Sequence, residues 1–268
     1  MTEDTLGSWG FAVPRDELDT AAAIEDLGYS ALWLAGGQLD RLSRLTDLLA
    51  ATRHAVIASS IIPAGRYRAD EVAQLYTDAE SKYPGRLLVG LGAPQQSGAM
   101  GALNHYLDQL AAVPQQRRIL AAIGPRKLDL ARQRFAGAVP ILVTPAYTAV
   151  ARERLGPDRT LAVGLFAVLD DDADAARESA RRPLRFLLGQ VRGYQDSARR
   201  QGFTDHDIET LSDHLVDTLT AWGSPADIAQ RALELRAAGA DHVQLSVLHS
   251  DGQPGPLEAA RELASLLA

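Results

Sequence analysis

The apolar positions of this chain fall into short continuous runs separated by longer stretches of helical periodicity, and the two alternate from end to end. The first run covers 9–13 and is closed by Pro14. Over 16–27, Leu18, Ala21 and Ala22 share one helical face, and Gly28 stands where a helix is expected to stop. Further runs cover 31–35 (ALWLA), 55–62 (AVIASSII), 87–89 (LLV), 118–123 (RILAAI), 139–143 (VPILV), 160–169 and 242–248 (HVQLSVL). Helices are predicted between them at 40–52, 69–82, 101–112, 127–135, 146–155 and 225–238, with 255–267 last. The segment 172–222 is helical throughout, broken near Gly189, Gly193 and Gly202. The strand runs are continuous, as strands buried on both faces of a parallel sheet require. Eight strand–helix alternations predict an α/β fold, a (β/α)8 TIM barrel forming a single domain over 1–268, with 172–222 as an insertion in the last repeats. An open doubly wound sheet is the alternative. It would carry G-x-G-x-x-G after its first strand, which is absent here.

The stretch around which the others line up is YPGRLLVGLGAPQQ, 83–96. Pro84 and Gly85 end a helix, and the strand that follows closes on Gly90, Leu91, Gly92 and Ala93. Glycine there admits positive φ and lets a flat ligand lie against bare backbone. The alternative is a tight turn with no ligand.

Composition narrows the classes. Hydrophobic residues make up 46% and charged residues 23%, ordinary for a soluble globular chain. The net charge of -7 disfavours nucleic acid as a partner. No apolar run reaches the roughly 20 residues of a membrane span, and the acidic start MTEDTLG is not a signal peptide. A cytoplasmic protein is expected. The chain has no cysteine, which excludes disulfides, thiolate metal sites and a cysteine nucleophile.

In a barrel, chemistry sits at the carboxyl ends of the strands. Those ends carry Gly36 and Gly37, 59–61, 92–95, 123–126, Thr144 and Pro145, and 249–252. The rim is small, neutral and glycine-rich, with neither a carboxylate pair nor a metal-ligand cluster. It suits a planar cofactor that brings its own chemistry. His54 and His242 fall at strand starts, the stability face, and His105, His206 and His214 fall in helices or their junctions. His249, just past the last strand, is the candidate catalytic residue, with proton transfer as its role or a loop cap as the alternative. Gly124, Pro125 and Arg126 open a helix after a strand. They read as a phosphate seat or as ordinary helix initiation beside a solvated arginine. Tyr147 and Trp222 read as packing residues.

The segments EDLGYSALWL (25–34), PGRLLVGLG (84–92), AAIGPRKLDLA (121–131), LVTP (142–145), ARERLGPD (151–158) and AGADHV (238–243) resemble the luciferase-like monooxygenase superfamily, specifically its branch using the deazaflavin coenzyme F420. The resemblance implies a barrel whose strand ends hold the cofactor ring, with FMN as the alternative cofactor. It implies a non-proline cis peptide at Ser60-Ile61. The implied cofactor-binding positions are Ala35, Gly36, Ser59, Ser60, Ile61, Gly92, Ala93, Gln95, Ile123, Gly124, Pro125, Arg126 and Thr144, with Arg126, Lys127 and Arg132 as a basic patch near the phosphate. The implied activity is hydride transfer between the deazaflavin and a small organic substrate, in a homodimer paired through barrel helices. Three departures stand out. Ala35-Gly36-Gly37 replaces the acidic residue or histidine common after the second strand, Ala93-Pro94-Gln95 follows the fourth-strand G-x-G where Gly-Glu is common, and TPAYT (144–148) replaces TPEHT. These leave the proton donor unassigned. They keep open an FMN-dependent monooxygenase with a partner reductase, or a barrel repurposed for binding or non-redox chemistry.

Overall fold

The computed structural model describes residues 6–35, 37, 39–94 and 98–267. Its strands are β1 (Trp9–Ala12), β2 (Ala31–Ala35), β3 (Val56–Ser60), β4 (Ile62–Pro63), β5 (Leu87–Gly92), β6 (Arg118–Leu120), β7 (Gly137–Ala138), β8 (Thr160–Leu169), β9 (Ala221–Gly223) and β10 (His242–Val247). Pairing is parallel throughout and closes on itself, because β10 pairs with both β1 and β8. With β3 and β4 sharing one wall position against β5, the ring is an eight-stranded TIM barrel.

Outside it run α1 (Ala21–Asp26), α2 (Ser43–Ala51), α3 (Ala69–Lys82), α4 (Ala99–Gln109), α5 (Pro125–Arg134) and α6 (Pro145–Leu155). The segment after β8 carries α7 (Ala173–Gln190), α8 (Arg192–Arg200), α9 (Asp205–Thr210) and α10 (Asp213–Leu219). Then come α11 (Pro225–Ala237) and α12 (Pro256–Leu267). None is long and apolar enough among the described residues to cross a membrane.

Strand alternation sorts the apolar residues into two cores. Phe11, Leu32, Leu34, Ile57, Val89, Leu120, Val163 and Leu245 face the helices in the large outer core. Ala31, Trp33, Val56, Ala58, Leu88, Ile119, Val139 and Ala162 fill the interior of the barrel. Buried parallel strands need apolar side chains on both faces, which is why the runs read as continuous.

The amino-end half of the interior is closed by a dry polar pair. The Trp33 indole N–H donates to His242 Nε2 at 3.0 Å, and His242 Nδ1 donates to the Gly7 carbonyl at 2.8 Å. One acceptor and one donor are required, so the ring is the neutral tautomer. Gly10 sits against this pair. A Cβ there would lie 2.7 Å from Trp33 Nε1, inside contact distance.

Burial is the main cause that pushes the His242 pKa from 6.5 down to about 4, with the Arg236 charge adding to it. The neutral ring therefore contributes stability that is complete above pH 6.5 and is lost as pH falls from 6.5 towards 4. At about 1.4 kcal/mol per pH unit, the loss between pH 7 and pH 5 is expected to be about 2 kcal/mol. Urea titrations at the two pH values measure it. A His242→Gln variant keeps a donor and an acceptor and should lose that slope; an unchanged slope would remove His242 as its cause.

Three sequence expectations are corrected. The sixth strand is not 139–143 but β7 at Gly137–Ala138, followed by an isolated bridge between Ile141 and Gly164. Pro140 has no N–H for a ladder, and Leu142 takes a left-handed φ of 56°, so regular pairing stops there. The side of β8 that this segment leaves is taken over by β9, which pairs with Ala167, Val168 and Leu169. The stretch 172–222 is therefore not helical throughout: its end is a strand. The first helix is also shorter than 16–27, with a 3-10 turn at Leu18–Thr20 before α1.

Candidate functional site at the carboxyl end of the barrel

The register fixes which side chains point inward at each strand end. Ala12, Ala35, Ser60, Ala121, Ile141, Phe166 and Ser246 continue the inward-facing set, and all are partly exposed. The layer beneath them, with Trp33, Ala58, Leu88 and Ile119, is almost fully buried. The barrel thus has at this end a mouth of partly exposed, uncharged side chains, small except for Ile141 and Phe166. Among the described residues no group of three or more histidines and carboxylates could hold a metal ion.

The peptide Ser60-Ile61 is cis, at the position the resemblance implies. Ile61 leans over Gly92, whose missing Cβ makes room for it. Gly90 is bare for a different reason: a Cβ there would collide with the backbone carbonyl of Ser59. The Ser59 hydroxyl stitches the same seam, donating to the Gly90 carbonyl at 2.9 Å and accepting from the Gly90 N–H at 2.8 Å. The two glycines of 90–92 thus allow the close approach of β3 and of Ile61 to β5. Ser59 is fully buried, with its hydroxyl engaged in that seam. Ala93 is buried beside the rim. Gly36 and Gln95 lie outside the described residues.

A second cluster forms where α5 and α6 begin. Gly124 caps α5, its carbonyl accepting from the N–H groups of Lys127 and Leu128 at 3.0 Å, and Pro125 takes the first helical position. Thr144 caps α6 by accepting from the Tyr147 N–H at 3.1 Å. The Tyr147 hydroxyl donates to the Ile123 carbonyl and ties the two helix starts together. Gln201, just after α8, clamps the same place: its Nε2 donates to the Leu142 carbonyl at 3.0 Å and its Oε1 accepts from the Thr144 N–H at 2.8 Å. One side chain thus satisfies backbone groups that the broken sixth strand leaves without ladder partners.

Around this helix start stand three cations with no hydrogen bond or ion pair to any described residue: Arg126, Lys127 and Arg200. The Arg200 Nη2 reaches to 3.6 Å from where a Gly124 Cβ would be. Burial pushes the Lys127 pKa down. Their neighbours are paired. Arg199 bonds Asp205 at 2.7 Å, and Arg154 bonds Asp129 at 2.6 Å. Arg132 does not belong to the patch, contrary to expectation. It lies in the last turn of α5, about 10 Å along the axis from Pro125 at 1.5 Å per residue, with Nε 3.6 Å from the Cβ position of Gly156. Arg200 takes its place. Within the helical pattern of 172–222 nothing separates Arg200 from Arg199, so sequence reading missed it.

His249 follows β10, exposed and without a hydrogen bond to any described residue. Tyr147 is a tether, not only a packing residue. Trp222 donates to Asp217 at 2.7 Å, with Arg177 stacked 5.2 Å from its ring.

The TIM barrel thus carries partly exposed, uncharged side chains at its carboxyl end and a cationic helix start at the same end. The sequence profile of the luciferase-like monooxygenases matches residues 2–105 and 101–242, and the chain belongs to that family. Solved structures agree on the fold. An F420-dependent secondary alcohol dehydrogenase in complex with an F420-acetone adduct matches with a TM-score of 0.77 at 14% identity, covering 97% of this chain and 98% of that one. The coenzyme F420-dependent tetrahydromethanopterin reductase of Methanopyrus kandleri gives 0.74 at 14% identity, with the same coverage. The oxygenating constituent of 3,6-diketocamphane monooxygenase from Pseudomonas putida, in complex with FMN, gives 0.67 at 15% identity and again the same coverage. No curated protein matches the chain.

Proposed function

We propose that this protein is an oxidoreductase that uses the deazaflavin coenzyme F420 and a small organic substrate. The observation that carries the reading is the presence of Arg126, Lys127 and Arg200, none with a hydrogen bond or ion pair among the described residues, at the start of α5 beside an uncharged mouth. When bound, the deazaflavin supplies the hydride chemistry. The chain supplies the rest. The start of α5 offers backbone N–H groups and the positive end of a helix dipole to a phosphate. The unpaired cations meet the carboxylates of the coenzyme's tail, which a protein of net charge -7 needs a local patch to accept. Ala12, Ala35 and Ala121 leave room for a flat ring, and the buried layer below excludes water from beneath it. His249 is retained in the proposal as an exposed proton-transfer group at the rim.

FMN shares the ring and phosphate but not the acidic tail, so the tail decides between the cofactors. Titration with each, followed by fluorescence quenching, is expected to show coenzyme F420 binding more tightly, by about tenfold or more. Tighter binding of FMN would favour a flavin-dependent monooxygenase. Binding of neither would leave a barrel with no redox role.

A further inference from the structure

Inside the mouth, the described inward-facing side chains that can hydrogen-bond near the rim are Ser60, Ser246 and Gln244. Gln244 lies one inward step below Ser246 on β10, between Gly10 of β1 and Gly164 of β8 in the register. It is only 3% exposed. Its Nε2 donates to the Ser246 hydroxyl oxygen at 3.1 Å. Its Oε1 is buried with no partner among the described residues.

This arrangement has a direction. With a lone pair of Ser246 held by the amide from below, the hydroxyl proton must point elsewhere, and no described acceptor takes it. A hydroxyl that accepts one hydrogen bond is also a better donor in the next. The pair therefore presents one free donor, the Ser246 hydroxyl, in a mouth that otherwise offers alanine, isoleucine and phenylalanine.

We propose that Ser246 is the residue that contacts a carbonyl or hydroxyl oxygen of the organic substrate, and that Gln244 is the residue that positions it. The proposal rests on the reading of the mouth as a substrate site. A carbonyl or hydroxyl oxygen accepts the Ser246 proton. The absence of charge on the described inward-facing residues favours neutral substrates over acids and amines, because an ion would be desolvated there without a partner.

The test uses two probes of one shape, cyclohexanone and methylenecyclohexane, with binding followed by saturation-transfer NMR on the whole protein, before and after FMN or coenzyme F420 is added. The native protein is expected to prefer the ketone by about tenfold, as one hydrogen bond to a neutral group predicts. Ser246→Ala should abolish the preference by weakening the ketone alone. Gln244→Leu should reduce it severalfold while leaving hydrocarbon binding and melting temperature unreduced, since it also removes the unpartnered oxygen. An equal preference in Ser246→Ala and native protein, or no preference in the native protein, overturns the proposal. If neither cofactor binds yet the ketone preference depends on Ser246, the redox reading falls and this assignment stands. If a cofactor binds and the preference is absent, this assignment falls alone.

Discussion

Gly90→Ala is expected to destabilise the barrel severely. The added methyl would overlap the Ser59 carbonyl oxygen, which is backbone and cannot swing aside as a side chain does. Relief requires β3 and β5 to part, and parting breaks both hydrogen bonds between the Ser59 hydroxyl and Gly90. Overpacking a tight core costs roughly 1–3 kcal/mol where neighbours can yield. With a strand seam disrupted in addition, the loss should exceed about 4 kcal/mol, a large part of the 5–15 kcal/mol typical of a domain. Gly101→Ala supplies the control. Gly101 lies within α4 with no atom near its Cβ position, so alanine there should be neutral or stabilising by about 1 kcal/mol. Soluble yield and thermal melts compare the two. A Gly90→Ala protein that melts with the native one would show that the seam can open at little cost.

The second large effect concerns the cationic helix start. Removing both Arg126 and Arg200 as alanine is expected to weaken coenzyme F420 binding by about a hundredfold, at about 1.4 kcal/mol per decade and roughly one decade for each guanidinium. A charge-assisted hydrogen bond is worth about 1.5–3 kcal/mol when desolvated, and the lower end applies because both arginines are exposed. FMN should lose less, since only its phosphate meets the patch. The difference between the cofactors should also narrow as salt is raised, with the screening length falling to about 8 Å at physiological ionic strength. Equal affinity in native and doubly substituted protein would take the patch out of the site.

Strand positions were legible because a barrel strand buried on both faces must be apolar at every position, and loops between strands advertise themselves by glycine and proline. Thus seven of the predicted runs appear at or near their places in the ring. The sixth was misplaced because VPILV has the right composition, while the pairing depends on one proline and one left-handed leucine. The short strand AWG at 221–223 was invisible, since three residues carry no period. The glycines of 90–92 stand out in the sequence, but their strand neighbour does not: a sequence shows that a side chain is missing and not that Ser59 and Ile61 come close there. Gln201 reaches Thr144 across 57 residues of sequence, with Arg200 beside it, and no local pattern encodes that distance. His242, by contrast, was placed correctly at the stability face, because its position at a strand start is itself the signal.

The segment that follows β8 is usually the part of such a chain one would regard as decoration. Here it completes the rim: β9 takes the side of β8 that the sixth strand vacates, Gln201 holds residues 142–144, and Arg200 stands over Gly124. The chain is in that sense a two-part instrument, a closed ring that sets stability and an exchangeable collar that shapes the entrance. Grafting residues 170–223 from a relative is expected to change ligand affinity while leaving the pairing of β8 with β10 intact.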